Sequence, residues 1–95
     1  MYDHILHQMR DKIRTNEYIV PDHAYEELQD DDLSILDGEH IILTGRIVER
    51  QQDLTSGEHK YVILGETNAG NLAVVVAKIS PTGKLVFITA WRETS

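Results

Sequence analysis

The sequence contains no cysteine, only two prolines and 6% aromatic residues. A chain without cysteine forms neither disulfides nor cysteine-based zinc sites. This usage fits a reducing cytoplasm, where we expect the protein to be located. No run of about 18 apolar residues is present, so we expect no membrane-spanning helix. The N-terminal residues also lack the charged head and apolar stretch of a secretory signal peptide.

Positive charge is scarce as well, because nine lysines and arginines stand against 16 acidic residues and give a net charge of −7. A nucleic-acid-binding domain usually has a basic surface. The deficit lies in residues 1–45, which hold three positive and eleven negative side chains, whereas residues 46–95 hold six and five. An acidic half is typical of a solvated helix surface, and it could also bind a basic partner.

The length of 95 residues suits one domain with one hydrophobic core. We therefore predict a single domain over residues 1–95, in which residues 1–45 are helical and residues 46–92 form a sheet. Within the helical part, apolar side chains recur at three- and four-residue spacing over residues 2–15 and predict the first helix.

The residues around Pro21 predict a short extended segment followed by a second helix. Tyr18-Ile19-Val20 is expected to be extended, because proline disfavours helical geometry in the residue before it. Asp22 is then expected to be the N-cap of a helix from His23 to about Gln29.

A third helix is predicted over 35–43. Ser34 is followed three residues later by Asp37, which matches the capping box at a helix start, and Gly45 is a suitable stop. A competing interpretation makes His40–Thr44 a strand.

From Arg46 onward, short β-rich runs alternate with turn residues and predict four strands, at 46–51, 60–66, 72–79 and 84–91. Connections this short imply antiparallel pairing. The predicted fold is therefore α+β, with two or three N-terminal helices packed on a C-terminal four-stranded antiparallel sheet. The strand at 72–79 is apolar on both faces, so helices can cover one face and leave the other to a partner.

Several stretches of the chain together resemble a bacterial family of unknown function, catalogued as domain of unknown function 4258. The stretches are Leu33–Ile35, Ile42–Gln51, Thr55–Tyr61, Gly70, Val74–Val76, Pro81–Leu85 and Ile88–Ala90. The resemblance covers about residues 18–92 and depends on the combination, since each stretch alone is short.

The resemblance implies kinship with the RelE, MqsR and BrnT toxins, which are small α+β ribonucleases that cleave messenger RNA. It also implies a cognate zinc-finger antitoxin as partner and RNA as substrate. Relatives often begin the second helix with His-Ala followed by arginines. Here His23-Ala24 is kept, but Glu26 and Glu27 stand where a basic residue is expected. That departure lowers the RNA affinity we expect.

Cleavage of RNA needs a base for the 2′-hydroxyl, cations for the phosphate and an acid for the leaving oxygen. We assign His23 as the candidate base, and Lys60 and Arg92 as the candidate phosphate contacts. The assignment requires all three side chains to lie around one groove, within about 12 Å of one another, because a direct contact spans only about 3 Å.

Further residues are assigned to RNA binding. Arg46 and Arg50 are expected on one face of their strand, with Glu49 on the other. Tyr61 could stack on a base or donate a proton, and the alternative is that it belongs to the core. Trp91 is a candidate interface anchor. His4 and His7 are too few for a metal site, so we predict neither a metal nor a cofactor.

The leading hypothesis is a type II toxin acting as a metal-independent endoribonuclease. The alternative is a non-catalytic module whose acidic first half or apolar sheet face binds another protein. A third possibility is a catalytically inactive relative of such toxins, in which Glu26 and Glu27 close the site.

Overall fold

Helices fill most of the first half of the chain, and long strands fill the second. The computed structural model describes residues 2–93. In chain order the elements are α1 (Asp3–Arg14), β1 (Tyr18–Ile19), α2 (Asp22–Asp30), α3 (Ile35–Thr44), β2 (Arg46–Gln52), β3 (His59–Glu66), β4 (Leu72–Ile79) and β5 (Leu85–Arg92). The predicted α+β class is confirmed, and each of the four long strands lies within about one residue of its predicted range.

The first two helices begin as the sequence suggests, apart from the cap of α2. The buried residues of α1 are Leu6, Met9 and Ile13, which form the predicted apolar stripe. In α2 the N-cap is Pro21, whose carbonyl accepts the first helical hydrogen bond, from the Tyr25 N–H at 2.9 Å. The prediction of Asp22 as N-cap is therefore wrong. Asp22 is already inside the first turn and makes no capping bond with its side chain.

The capping box of α3 is confirmed. The Ser34 Oγ accepts a hydrogen bond from the Asp37 N–H at 3.1 Å, and the Asp37 carboxylate accepts one from the Ser34 N–H at 3.0 Å. The helix continues to Thr44 and stops at Gly45, so the competing strand at 40–44 is excluded. A Cβ at Gly38 would lie 2.7 Å from the Phe87 ring, so glycine there lets α3 approach the sheet closely.

The sheet has five strands in the order β1-β5-β4-β3-β2. Strands β2 to β5 form the predicted antiparallel meander, and β1 adds a parallel edge, with Tyr18 opposite Leu85 and Ile19 opposite Val86. The prediction of a four-stranded, purely antiparallel sheet is therefore incomplete. Two residues before a proline are too few to show strand periodicity, yet they suffice to pair with the edge of β5.

The two faces of the sheet differ in what covers them. On the face that we call inner, Ala73, Val75, Ala77 and Phe87 join the main core with the buried residues of all three helices. On the opposite face, which we call outer, Val62, Val74 and Val76 form a second cluster that contains only strand residues and includes Leu64 and Ile88. Within residues 2–93, helices therefore cover one face only.

Two β-bulges shift the alternation of side chains along the strands. In β2 the pairing moves from Ile47 opposite Ile63 to Glu49 opposite Val62, so Val48 is the extra residue. In β5 the pairing skips Ile88. Each bulge changes the face on which the following side chains lie.

None of the helices between residues 2 and 93 has the length and apolar character needed to cross a bilayer.

Candidate functional site

His23 lies in the first turn of α2, with its side chain 74% exposed. Its Nε2 is 3.4 Å from the Glu27 Oε1, one helical turn further along. A carboxylate at this distance can orient the imidazole ring. The described contacts of His23 thus include an acid and no cation.

Arg92 lies at the end of β5, next to the acidic turn that follows α2. Its backbone N–H donates to the Asp31 Oδ2 at 2.8 Å, and its Nη2 lies 3.9 Å from the Asp32 Oδ2. The guanidinium therefore already has carboxylates for neighbours. His23 is eight residues before Asp31, or about 12 Å along a helix axis, so α2 holds the two candidate side chains at different ends.

Lys60 lies at the opposite end of the sheet from Arg92. Tyr61 pairs with Ala77, which places Lys60 level with Lys78, and Lys78 pairs with Val86. Arg92 pairs with Ala73, which is five positions from Lys78 along β4, or roughly 17 Å at about 3.3 Å per residue. The structure therefore does not bring His23, Lys60 and Arg92 around one groove, because Lys60 and Arg92 lie at opposite ends and on opposite faces of the sheet.

The predicted RNA-binding residues are also separated, because the bulge at Val48 reverses the alternation. Arg46 lies opposite Leu64 on the outer face, whereas Arg50 lies opposite Tyr61 on the inner face. The expectation that the two arginines share a face is therefore wrong, and Glu49 shares the outer face with Arg46 instead.

Arg50 and Tyr61 both contact the start of α1. The Arg50 guanidinium is 5.4 Å from the centre of the Tyr2 ring, and the Tyr2 and Tyr61 rings meet edge to face at 5.7 Å. Tyr61 is buried in the main core. Stacking Tyr61 on a nucleobase would require it to leave that core.

A polar cluster that the sequence did not reveal occupies one end of the outer face. Lys60 and Lys78 lie side by side on β3 and β4, and Gln51 of β2 lies opposite Lys60. Gln51 donates through its side chain to the Glu49 Oε2 at 2.7 Å, and the Lys78 Nζ donates to the Glu58 Oε2 at 2.6 Å. We call Glu49, Gln51, Glu58, Lys60 and Lys78 the outer polar cluster.

The spacing of the strands keeps this cluster compact. Neighbouring strands are about 4.8 Å apart and residues two apart along a strand about 6.6 Å, so the Cα atoms of Glu49, Lys60 and Lys78 lie within about 12 Å of one another. Among the described residues, no carboxylate oxygen lies within 4.0 Å of the Lys60 Nζ. A carboxylate and two ammonium groups can therefore face a single bound phosphodiester.

The lysines also influence the turn between β2 and β3. The pKa of the Asp53 carboxyl is below its usual value, first because the Thr55 and Ser56 N–H groups donate to it, and also because Lys60 and Lys78 lie near. The positive field of the two lysines thus extends over this end of the sheet.

An apolar groove of about 700 Å³ occupies the other end of the outer face. Its lining is Val48, Val62, Leu64, Gly70, Asn71, Leu72, Val74, Trp91 and Glu93. The Trp91 Nε1 donates to the Glu93 Oε1 at 2.9 Å, which holds the indole at the rim. We call this the Trp91 groove.

Part of the outer polar cluster could have been inferred from the sequence. Alternation along the apolar strand β4 places Lys78 on the face of Val74 and Val76, and the same rule places Lys60 beside it once the register is known. The position of Glu49 could not be foreseen, because the bulge at Val48 has no glycine or proline to mark it. Within residues 2–93 no group of three His, Asp or Glu side chains is arranged to hold a metal ion.

Comparisons with known proteins identify a family and nothing beyond it. The sequence model described as "Domain of unknown function (DUF4258)" matches residues 21–92. No curated protein and no solved structure shows a significant match. The matched residues contain α2, α3 and all four antiparallel strands, and thus both the outer polar cluster and nearly all of the Trp91 groove.

Proposed function

The chain belongs to the DUF4258 family, a domain of unknown function, and from that premise we propose that it is a metal-independent endoribonuclease acting through its outer polar cluster. One observation carries the proposal: Glu49, Lys60 and Lys78 come from three strands and lie near one another on a face that no helix within residues 2–93 covers. The proposal keeps Lys60 from the sequence-based assignment and replaces His23 and Arg92.

The proposed chemistry uses each group once. The Glu49 carboxylate takes the proton from a ribose 2′-hydroxyl, and the 2′-oxygen attacks the adjacent phosphorus. The new phosphorus–oxygen bond forms as the bond to the 5′-oxygen breaks. The Lys60 ammonium protonates that leaving oxygen while Lys78 stabilises the negative charge on the phosphoryl oxygens. The products are a 2′,3′-cyclic phosphate and a 5′-hydroxyl.

Two contacts prepare these groups for their roles. The Gln51 amide holds the Glu49 carboxylate by a charge-assisted hydrogen bond, which fixes its position over the sheet. The Glu58 carboxylate partly neutralises Lys78, which leaves Lys60 as the cation with the freer charge. The family resemblance supports the same activity, and it extends the proposal to a toxin whose cognate zinc-finger antitoxin is its partner.

Cleavage of a labelled single-stranded oligoribonucleotide by the purified protein, with a chelator present, tests the activity. We expect Glu49→Gln to lower the cleavage rate by about 10²–10⁴-fold, as loss of a general base does. Glu26→Gln, which changes an exposed carboxylate on α2 away from the cluster, is the matched control and should cleave at the wild-type rate.

The pattern of products and variants decides the outcome. A 2′,3′-cyclic phosphate end that disappears in Glu49→Gln and in Lys60→Ala supports the assignment. Equal cleavage by wild type and Glu49→Gln would show that the activity comes from another site or from a contaminant.

A non-catalytic protein-binding module is the second candidate, and the Trp91 groove is the observation that favours it. Its lining is apolar, it is open to solvent, and an aromatic residue stands at its rim. Such a module would bind a protein through the groove and leave RNA uncut, even at low salt, where phosphate contacts are strongest.

A further inference from the structure

A second apolar groove lies on the helical side of the molecule, between α2 and α3, and has a volume of about 270 Å³. We call it the α2–α3 groove. Among the residues that line it, Leu28 and Leu33 are buried, whereas Tyr25 and Leu36 are 43% and 65% exposed. Since an apolar cavity of about 150 Å³ can hold benzene, this groove has room for one large apolar side chain.

The entire net charge of the chain lies in the segment that forms this groove. Residues 22–37 hold seven acidic residues and no lysine or arginine. The chain has 16 acidic residues and nine lysines and arginines in all, so the other 79 residues hold nine of each and are neutral. The seven acids are Asp22, Glu26, Glu27, Asp30, Asp31, Asp32 and Asp37.

Two of these acids flank the wall of the groove. Asp22 and Glu26 lie three residues before Tyr25 and Gln29, so the two pairs are neighbours on the surface of α2. Both acids are exposed. Among residues 2–93, the only lysine or arginine nitrogen within 4.0 Å of any carboxylate in the segment belongs to Arg92, at 3.9 Å from Asp32. The carboxylates beside the groove are therefore available to a partner.

We propose that the α2–α3 groove binds a basic segment of a partner protein. One large apolar side chain of that segment enters between Tyr25 and Leu36, and lysines or arginines on either side of it face Asp22 and Glu26. The charge selects this occupant, because seven acids repel the phosphates of RNA and of anionic lipids and attract a basic polypeptide. The proposal uses neither the outer polar cluster nor the Trp91 groove, and it does not depend on the proposed cleavage of RNA.

A short lysine-rich peptide with two leucines one helical turn apart is a suitable probe. Adding it to the isotope-labelled full chain, while amide chemical shifts are recorded, shows both where it binds and how tightly. We expect saturable shifts at the residues of the α2–α3 groove, with a dissociation constant on the order of 100 µM in about 20 mM salt. Replacing the two leucines of the probe by serine should abolish saturation, although its charge is unchanged.

Variants of the groove test its apolar part. Leu36→Ser and Tyr25→Ser should each raise the dissociation constant of the probe about fivefold or more, because each removes apolar contact from the bound leucines. Leu54→Ser is the matched control, since Leu54 is 95% exposed in the turn between β2 and β3. It should bind the probe like wild type.

A second pair of variants tests the charge. Asp22→Asn with Glu26→Gln should raise the dissociation constant about fivefold in low salt, and the difference from wild type should disappear at about 1 M salt, where charges are screened beyond about 3 Å. Asp3→Asn with Glu66→Gln removes the same number of charges from exposed positions elsewhere, including the first turn of a helix. This control should bind within about twofold of wild type, because an exposed charge acts mainly on its near neighbours.

Three results would overturn the proposal. The first is the absence of saturable shifts in the α2–α3 groove up to about 2 mM probe, twenty times the expected dissociation constant. The second is binding that Leu36→Ser and Tyr25→Ser leave unchanged, which would make the contact one of charge alone. The third is equal weakening by the two pairs of charge variants, since net charge and not this groove would then attract the probe. Failure of the RNA cleavage assay affects none of these readings.

Discussion

The inner and outer faces of this sheet are made by the same strands, yet they differ in what lies over them. In β4 the side chains that point inward are Ala73, Val75 and Ala77, and small residues there let the helices pack closely. The side chains that point outward include Val74 and Val76, which are covered, among residues 2–93, only by their neighbours in the sheet. The inner face therefore holds the fold together, and the outer face has apolar and charged groups left for binding.

The largest expected contrast is between the two aromatic residues of β5. Phe87 is fully buried under α3, so Phe87→Ala should lower the free energy of unfolding by about 3–5 kcal/mol. Trp91→Ala removes a half-exposed side chain from the rim of the outer face. It should lower the free energy of unfolding by less than half as much as Phe87→Ala. Urea unfolding followed by far-ultraviolet circular dichroism measures both, and equal losses would remove the distinction between the faces.

The adjacent valines of β4 give a sharper contrast, because the substitution is identical. Val75→Ala leaves a cavity between sheet and helices and should cost about 2–3 kcal/mol. Val76→Ala should cost only about 1.5 kcal/mol, which is the transfer term for two methyl groups without a cavity. A loss at Val76 as large as that at Val75 would indicate that the outer face is packed like a core.

The helical layer on the inner face is held by an arginine. Arg10 donates through Nε to the Ile42 carbonyl at 3.0 Å and through Nη2 to the Gly45 carbonyl at 2.7 Å, at the end of α3. Removing these charge-assisted bonds by Arg10→Ala should cost about 2 kcal/mol. Arg14→Ala is the control, since its exposed pair with Asp11 should be worth less than about 1 kcal/mol. The thermal unfolding midpoint compares the two, and similar shifts would contradict the capping role.

The smallest effect is the pH dependence of stability that comes from Asp37, in the first turn of α3. Burial raises the pKa of the Asp37 carboxyl, but hydrogen bonds from Ser34 and Asn68 outweigh it and hold the pKa below its usual 3.8. A carboxyl with a lowered pKa in the folded state stabilises the fold above the unfolded value, and loses that effect as pH falls through the folded value. The free energy of unfolding should therefore decline as pH is lowered from about 5 to about 2, and it should decline less in Asp37→Asn. An unchanged pH profile in Asp37→Asn would exclude this residue as the source.

Local chemistry made part of this structure predictable. The capping box at Ser34, the apolar stripe of α1 and the three hairpin turns were all predicted, and Gly57, Gly70 and Gly83 in those turns have the positive φ that favours glycine. These features depend on residues a few positions apart, so the sequence displays them directly.

The features that were missed depend on long-range pairing. Arg10 meets its carbonyl partners 32 and 35 residues later, and β1 becomes a strand only because β5 offers an edge. The bulge at Val48 decides on which face Arg50 lies, and the strand order decides that Lys60 and Arg92 are far apart. No periodicity within one segment contains that information. The candidate site changed for this reason, while the fold class did not.

Growth of a bacterial culture expressing the chain tests most directly the claim that the outer face is the functional one. Wild type should arrest growth, as a messenger-RNA-cleaving toxin does. The double variant Lys60→Ala with Lys78→Ala should not arrest it, whereas His23→Ala with Arg92→Ala should arrest it like wild type, provided that all three proteins accumulate to equal levels. Arrest that survives loss of the two lysines but disappears with loss of His23 and Arg92 would contradict the account and favour the site first assigned to His23 and Arg92.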